Sequence, residues 1–93
     1  MRIPALAASF ETIALSEPED QILLVTLNRP QVGNALNTRM GHEMLGVFQA
    51  LEAEPGAYRC IILTGAGERV FCAGGDLKER DGMTDQVFAD QHY

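Results

Sequence analysis

The sequence predicts an α/β fold, and three observations predict it. Residues 21–27, QILLVTL, form a nearly continuous apolar run that stops at Asn28-Arg29-Pro30. Apolar residues then recur at helical spacing, at Leu36, Met40, Met44, Val47, Phe48 and Leu51. A second apolar run, RCIILT, follows at 59–64 and leads into glycines. Two such runs joined through a helix read as parallel strands with a right-handed crossover, which layers a helix on a sheet instead of bundling helices.

Taken in chain order, residues 9–15, SFETIAL, are β-like in composition though only loosely alternating, and Ser16 to Asp20 reads as a polar turn. A first hairpin is therefore expected over 9–28. The run at 21–27 lacks polar alternation, as a strand covered on both faces would. Pro30 has no N–H with which to continue a ladder. A helix is expected over 38–54, with Asn37 as its N-cap and Pro55-Gly56 ending it. Gly41 and Gly46 inside it cost about 1 kcal/mol each relative to alanine, so the helix depends on packing. His42 and Glu43 fall on its polar side, and Met40 and Met44 on its core side. The run at 59–64 reads as a second buried strand, the stretch 65–79 as a glycine-rich loop, and 76–81 as the start of another helix. The segment 83–93 is amphipathic at best, and there is no internal repeat.

At 93 residues the chain is at most one small domain, with marginal independent stability. Hydrophobic residues at 46% against 22% charged residues give a globular balance, not the composition of a disordered chain. A net charge of -6 argues against a nucleic-acid partner, which requires clustered Lys and Arg. Cys60 and Cys72 are too few for a disulfide scaffold and too far apart for a CxxC motif, so both read as reduced thiols in or near the core. The first nine residues carry no long apolar region. Neither a signal peptide nor a membrane span is expected, and the expected setting is cytoplasmic.

The chemistry-bearing stretch is Ile61 to Glu79, IILTGAGERVFCAGGDLKE. Gly74 and Gly75 have no Cβ, so a ligand can approach their backbone, and their amides are potential donors. A helix starting at Asp76 would place the Gly75 N–H at the positive end of a helix dipole. Such a donor suits an oxygen that gains negative charge during reaction. A dinucleotide fingerprint is not formed, because Val70 stands where the third glycine of GxGxxG belongs, and no Gly-Lys-Ser/Thr of a P-loop occurs. Composition alone leaves a purely structural glycine turn open. His42 and His92 have no nucleophile at recognisable spacing.

The stretches LNRPQVGNALNTRM (27–40) and IILTGAGERVFCAGGDLKE (61–79) resemble the two N-terminal signatures of the crotonase superfamily, the enoyl-CoA hydratase/isomerase family, in the family's order and spacing. The resemblance covers residues 21–80, most of this chain but only the opening part of a family member. It implies a crotonase-like spiral of ββα units, of which this is the N-terminal part. It also implies that Gly75 supplies one backbone N–H of an oxyanion hole for the thioester carbonyl of an acyl-CoA. Ala73, Gly74, Asp76, Leu77 and Lys78 fall at positions along the coenzyme A moiety, with Gln31 and Val32 bordering the nucleotide from the other side. Asp76 reads as a helix cap before it reads as an acid or base. Lys78 suits a phosphate or adenine contact and equally a solvated first turn. Cys72 falls where the family has a small apolar residue.

The family's second oxyanion donor and its acidic residues belong to positions beyond Tyr93, and Glu68, Glu79 and Asp81 match none of them. The resemblance thus implies an acyl-CoA enzyme, with 2-enoyl-CoA hydration as the expected reaction and Δ3,Δ2-enoyl-CoA isomerisation as the alternative. The 93 residues alone are expected to be inactive, as one piece of a longer enzyme; the other reading is a non-catalytic remnant that binds acyl-CoA or a partner. No metal or separate cofactor is implied, because coenzyme A is part of the substrate. Trimers or hexamers are implied for the full-length protein.

Overall fold

The computed structural model describes residues 1–68 and 71–75. Three strands form one sheet in the order β1-β2-β3: β1 is Ile13–Glu19, β2 is Ile22–Leu27 and β3 is Cys60–Gly65. Helix α1, Thr38–Ala53, lies between β2 and β3 in the chain. β1 and β2 run antiparallel as a hairpin, and β2 and β3 run parallel with Ile22 opposite Cys60 and Leu27 opposite Gly65. The two apolar runs thus lie side by side, joined by a crossover through the helix.

β1 differs from the expected hairpin arm. It starts at Ile13 and continues through Ser16–Glu19, the segment whose composition reads as a turn. The pairing passes from Ser16 opposite Leu24 to Glu19 opposite Ile22, so Glu17 and Pro18 together face one residue of β2. That is a β-bulge on the outer strand, a place where a proline's missing N–H costs the ladder nothing. The reversal falls instead at Asp20-Gln21, with Gln21 in the left-handed region at φ 61°.

Alternation along β2 buries Leu23, Val25 and Leu27 and leaves Ile22, Leu24 and Thr26 half-exposed, so one face of this strand is covered and not two. The buried face meets Met40 and Val47 of α1, Ile13 of β1, and Ile3 and Leu6 from the N-terminal segment. Ile3 and Leu6 flank and enter a short 3-10 turn, Pro4–Ala7, which packs on α1. Burying a side chain of this size contributes about 1.5–3 kcal/mol, so Ile3 and Leu6 belong to the core.

α1 begins where Asn37 accepts the Met40 N–H on its side chain at 2.8 Å. The chain then leaves the helix at Glu54, whose N–H donates to Leu51, and turns through Pro55-Gly56. Glu43 is a correction to the helix pattern: it is buried, not on the polar side. Its carboxylate accepts the Glu11 and Thr12 amides at 2.9 and 2.8 Å and the Thr12 hydroxyl, with Arg39 at 3.3 Å. Burial by itself raises a carboxyl pKa. Here the Thr12 hydroxyl, the two amides and Arg39 outweigh it and hold Glu43 below the ordinary value. Beside it His42 is exposed.

β3 is the second correction. Cys60, Ile61, Ile62 and Leu63 are exposed, although the run is as apolar as β2. Among the described residues β3 has a strand on one side only, and α1 packs against β1 and the N-terminal turn. Cys60 is accordingly exposed, while Cys72 is half-buried against the core.

Candidate functional site

β2 and β3 end side by side, and the two segments that follow them face each other. After β2, Arg29 to Asn34 folds back on itself: Pro30–Val32 is a 3-10 turn, and Gly33 and Asn34 both lie in the left-handed region at φ 62° and 55°. The Asn34 N–H donates to the Arg29 carbonyl at 2.9 Å, and the Arg29 N–H donates to Asn34 Oδ1 at 2.9 Å. The Arg29 guanidinium donates to the Ala35 carbonyl at 2.6 Å. Asparagine is one of the few residues with a side chain that adopts this backbone conformation readily, and Gly33 needs none.

After β3, the Ala66 N–H donates to the Leu27 carbonyl at 2.7 Å, which extends the parallel pairing by one residue. Gly65 occurs there for a steric reason. A Cβ on it would sit 2.3 Å from the Phe71 carbonyl oxygen and 2.7 Å from Asn34 Nδ2. Gly67 lies at φ 84° against Pro30. The chain returns at 71–75 and zips onto the 33–36 segment: the Ala73 N–H donates to the Gly33 carbonyl at 2.8 Å, and the Leu36 N–H to the Gly74 carbonyl at 2.7 Å. Leu36 and Gly75 form a parallel bridge.

Between the two segments lies a cleft of about 490 Å³ lined by Pro30, Gln31, Gly33, Asn34, Ala66, Gly67, Glu68 and Ala73. Of the residues expected to contact a ligand, Gln31 and Ala73 line it. Val32 is exposed on the same turn without lining the cleft, and Gly74 and Gly75 follow Ala73 in the returning segment without lining it. Asp76, Leu77 and Lys78, and with them the expected helix start, lie outside the described residues.

The two glycine amides differ. Gly74, at φ 93°, donates to Cys72 Sγ at 3.4 Å, so its amide is engaged and is not the open donor that glycine content suggests. The bridge to Leu36 runs through the Gly74 carbonyl, which leaves the Gly75 N–H without an acceptor among the described residues.

Glu68 is the single charged residue among those lining the cleft. A site with this lining suits the neutral and weakly polar portions of a ligand. Among the described residues no group of three or more His, Cys, Asp or Glu could hold a metal ion, and no helix is long and apolar enough to cross a membrane. The cleft residues missed in the sequence, Pro30, Gly33, Asn34, Ala66, Gly67 and Glu68, are mostly small and offer backbone. The Gly33-Asn34 pair is the one signal that could have marked them, since adjacent residues tolerant of positive φ point to a built loop.

The sequence profile of the enoyl-CoA hydratase/isomerase family matches residues 17–92. Over 70 residues the chain is 44% identical to YngF of Bacillus subtilis (strain 168), named for an enoyl-CoA hydratase/isomerase, covering 75% of this chain and 26% of that protein. It is 48% identical over 63 residues to the hydroxycinnamoyl-CoA hydratase-lyase of Pseudomonas fluorescens, covering 68% of this chain and 22% of that one. The fold superimposes with a TM-score of 0.81 and 33% identity on the enoyl-CoA hydratase of Bacillus anthracis, covering 87% of this chain and 31% of that one. The chain therefore spans between a fifth and a third of the length of these proteins.

Proposed function

The chain belongs to the enoyl-CoA hydratase/isomerase family, and on that footing we propose that it binds an acyl-CoA thioester, with the cleft taking part of the coenzyme A moiety and the Gly75 amide serving as one donor of an oxyanion hole. One observation carries the reading. The Gly75 N–H has no acceptor among the described residues, whereas the neighbouring amides of Ala73 and Gly74 are both engaged. A thioester carbonyl becomes an oxyanion as its enolate forms. A fixed N–H aimed at it is worth about 2.7–4 kcal/mol of transition-state stabilisation, because the donor needs no reorganisation.

Such an enolate serves several reactions, so the donor points to the substrate class before it points to the reaction. The relatives agree in kind: one is named a hydratase/isomerase and another a hydratase-lyase, and both names refer to coenzyme A thioesters. The reaction we assign is hydration of a 2-enoyl-CoA, with double-bond isomerisation of a 3-enoyl-CoA as the alternative. Adding water requires acid and base groups within reach of the substrate's α and β carbons. No residue of this chain matches the family's acids, so turnover is assigned to a protein of the relatives' length and ligand binding to this chain.

Loss of the conjugated absorbance of crotonyl-CoA, measured with a protein of that length, tests hydration; a gain of the same absorbance from a 3-enoyl-CoA marks isomerisation instead. Absence of both, together with no binding of acyl-CoA to this chain, would overturn the proposal.

A further inference from the structure

We propose that Asn34 is the positioning residue of this site, the side chain that sets where the Gly75 donor stands relative to the cleft; the inference rests on the acyl-CoA reading given above. Asn34 is fully buried, and its side-chain amide bonds backbone on both sides of the cleft. Each end of it holds one wall of the cleft. Oδ1 accepts the Arg29 N–H at 2.9 Å, and Nδ2 donates to the Ala66 carbonyl at 2.9 Å.

Those two partners have opposite and fixed polarity. A backbone N–H can only donate and a backbone carbonyl can only accept, so the side chain between them must offer one acceptor and one donor at nearly equal reach. Asparagine does so, whereas aspartate offers two acceptors and leucine offers neither. The left-handed backbone at Asn34, φ 55°, adds a second demand that asparagine also meets. Gly65 completes the arrangement, since its missing Cβ lets Nδ2 approach.

Asn34 reaches the proposed donor through its own backbone neighbours. Gly33 receives the Ala73 N–H on one side of it, and on the other Leu36 donates to Gly74. The 71–75 segment that carries Gly75 is therefore bonded to the short segment centred on Asn34, and Asn34 is bonded to Ala66 across the cleft. If the Ala66 bond is lost, the 33–36 segment loses its anchor across the cleft, and the bonds that zip it to residues 73 and 74 open more often, which lets Gly75 shift.

The test compares Asn34→Asp with Asn34→Gly. The first keeps the acceptor for Arg29 and sets a carboxylate oxygen against the Ala66 carbonyl; the second keeps the backbone conformation and deletes the side-chain bonds to Arg29 and Ala66. Amide hydrogen exchange is read at Ala73 and Leu36, with Leu23 and Val25 of the central strand as internal references. In the same samples, the thioester carbonyl of a 13C-labelled acyl-CoA is followed by NMR at saturating ligand, the saturating concentration being set from the affinity of each variant.

The expected result is a rise of at least tenfold in exchange at Ala73 and Leu36 in both variants, with the references unchanged. The thioester carbonyl of acyl-CoA held at saturation should move back toward its free position in both variants. Unchanged exchange at Ala73 and Leu36, or a uniform rise that includes Leu23 and Val25, would overturn the inference, the second because it marks a purely structural role. A carbonyl resonance identical in variants and wild type would overturn it as well. If the wild-type protein itself leaves the carbonyl unshifted, the acyl-CoA reading is the one that fails, and the exchange rates still decide whether Asn34 holds the two walls.

Discussion

Replacing Gly65 with alanine asks whether the two site loops touch as closely as the structure has them. The added Cβ would stand 2.3 Å from the Phe71 carbonyl oxygen, 2.9 Å from Phe71 Cα and 2.7 Å from Asn34 Nδ2. Two of these atoms are backbone, so no rotamer change relieves the clash. The 71–75 segment would have to retreat by roughly 1 Å to restore van der Waals separation. Overpacking of this kind costs about 1–3 kcal/mol, and backbone obstruction places Gly65→Ala toward the upper end. In a domain of this size 1 kcal/mol moves the unfolding midpoint by about 4–8 °C, so a loss on the order of 10–20 °C is expected. Gly46→Ala is the matched control: it adds the same methyl group inside α1, where nothing lies within 4 Å. That change should stabilise by up to about 1 kcal/mol through helix propensity. Thermal unfolding of both variants, followed by circular dichroism, should show shifts of opposite sign. A Gly65→Ala midpoint equal to wild type would refute the close approach of β3, Asn34 and Phe71.

Two further changes probe the support of the fold and the character of the cleft. Glu43→Gln removes the charge that accepts two amides and a hydroxyl, and should cost about 1.5–3 kcal/mol in chemical denaturation. Because the folded state lowers the Glu43 pKa below 4.5, its contribution is complete above that pH and disappears as the pH falls through the folded value. Wild-type stability should therefore drop below about pH 4.5 more steeply than that of the variant, and parallel curves would contradict this. Glu68→Lys reverses the one charge among the residues lining the cleft. Coenzyme A affinity, measured calorimetrically at low salt, should rise by several-fold, about 1 kcal/mol for a solvated charge pair, and the gain should fade at high salt; no change at either salt would count against the cleft as part of the coenzyme A site.

Features whose causes are local were legible in the sequence. Asn37 caps α1 because a short polar side chain preceding an apolar periodic run reaches back to an N–H three residues on. The parallel placement of β2 and β3 followed from two apolar runs joined through a helix. Features that depend on neighbours were hidden. β2 and β3 are equally apolar, but the pattern does not say which faces find a partner, and β3 is exposed where β2 is half covered. Pro18 reads as a turn residue unless the strand is known to be an outer one with a bulge. Glu43 reads as a surface charge because its partners, Glu11 and Thr12, are more than thirty residues away. At the site, the glycines of the 71–75 segment drew attention, yet the residue joining the walls is Asn34, whose partner Ala66 is distant in sequence and is met only through a backbone carbonyl.

The central claim is that the Gly75 amide is held open for a thioester oxygen, and the 13C resonance of a bound acyl-CoA carbonyl tests it most directly. Gly75→Ala keeps the N–H, and Gly75→Pro removes it. The carbonyl should shift in the wild-type protein and in Gly75→Ala, and lose most of that shift in Gly75→Pro while coenzyme A remains bound. An equal shift in the proline variant would contradict the assignment of Gly75 as a donor.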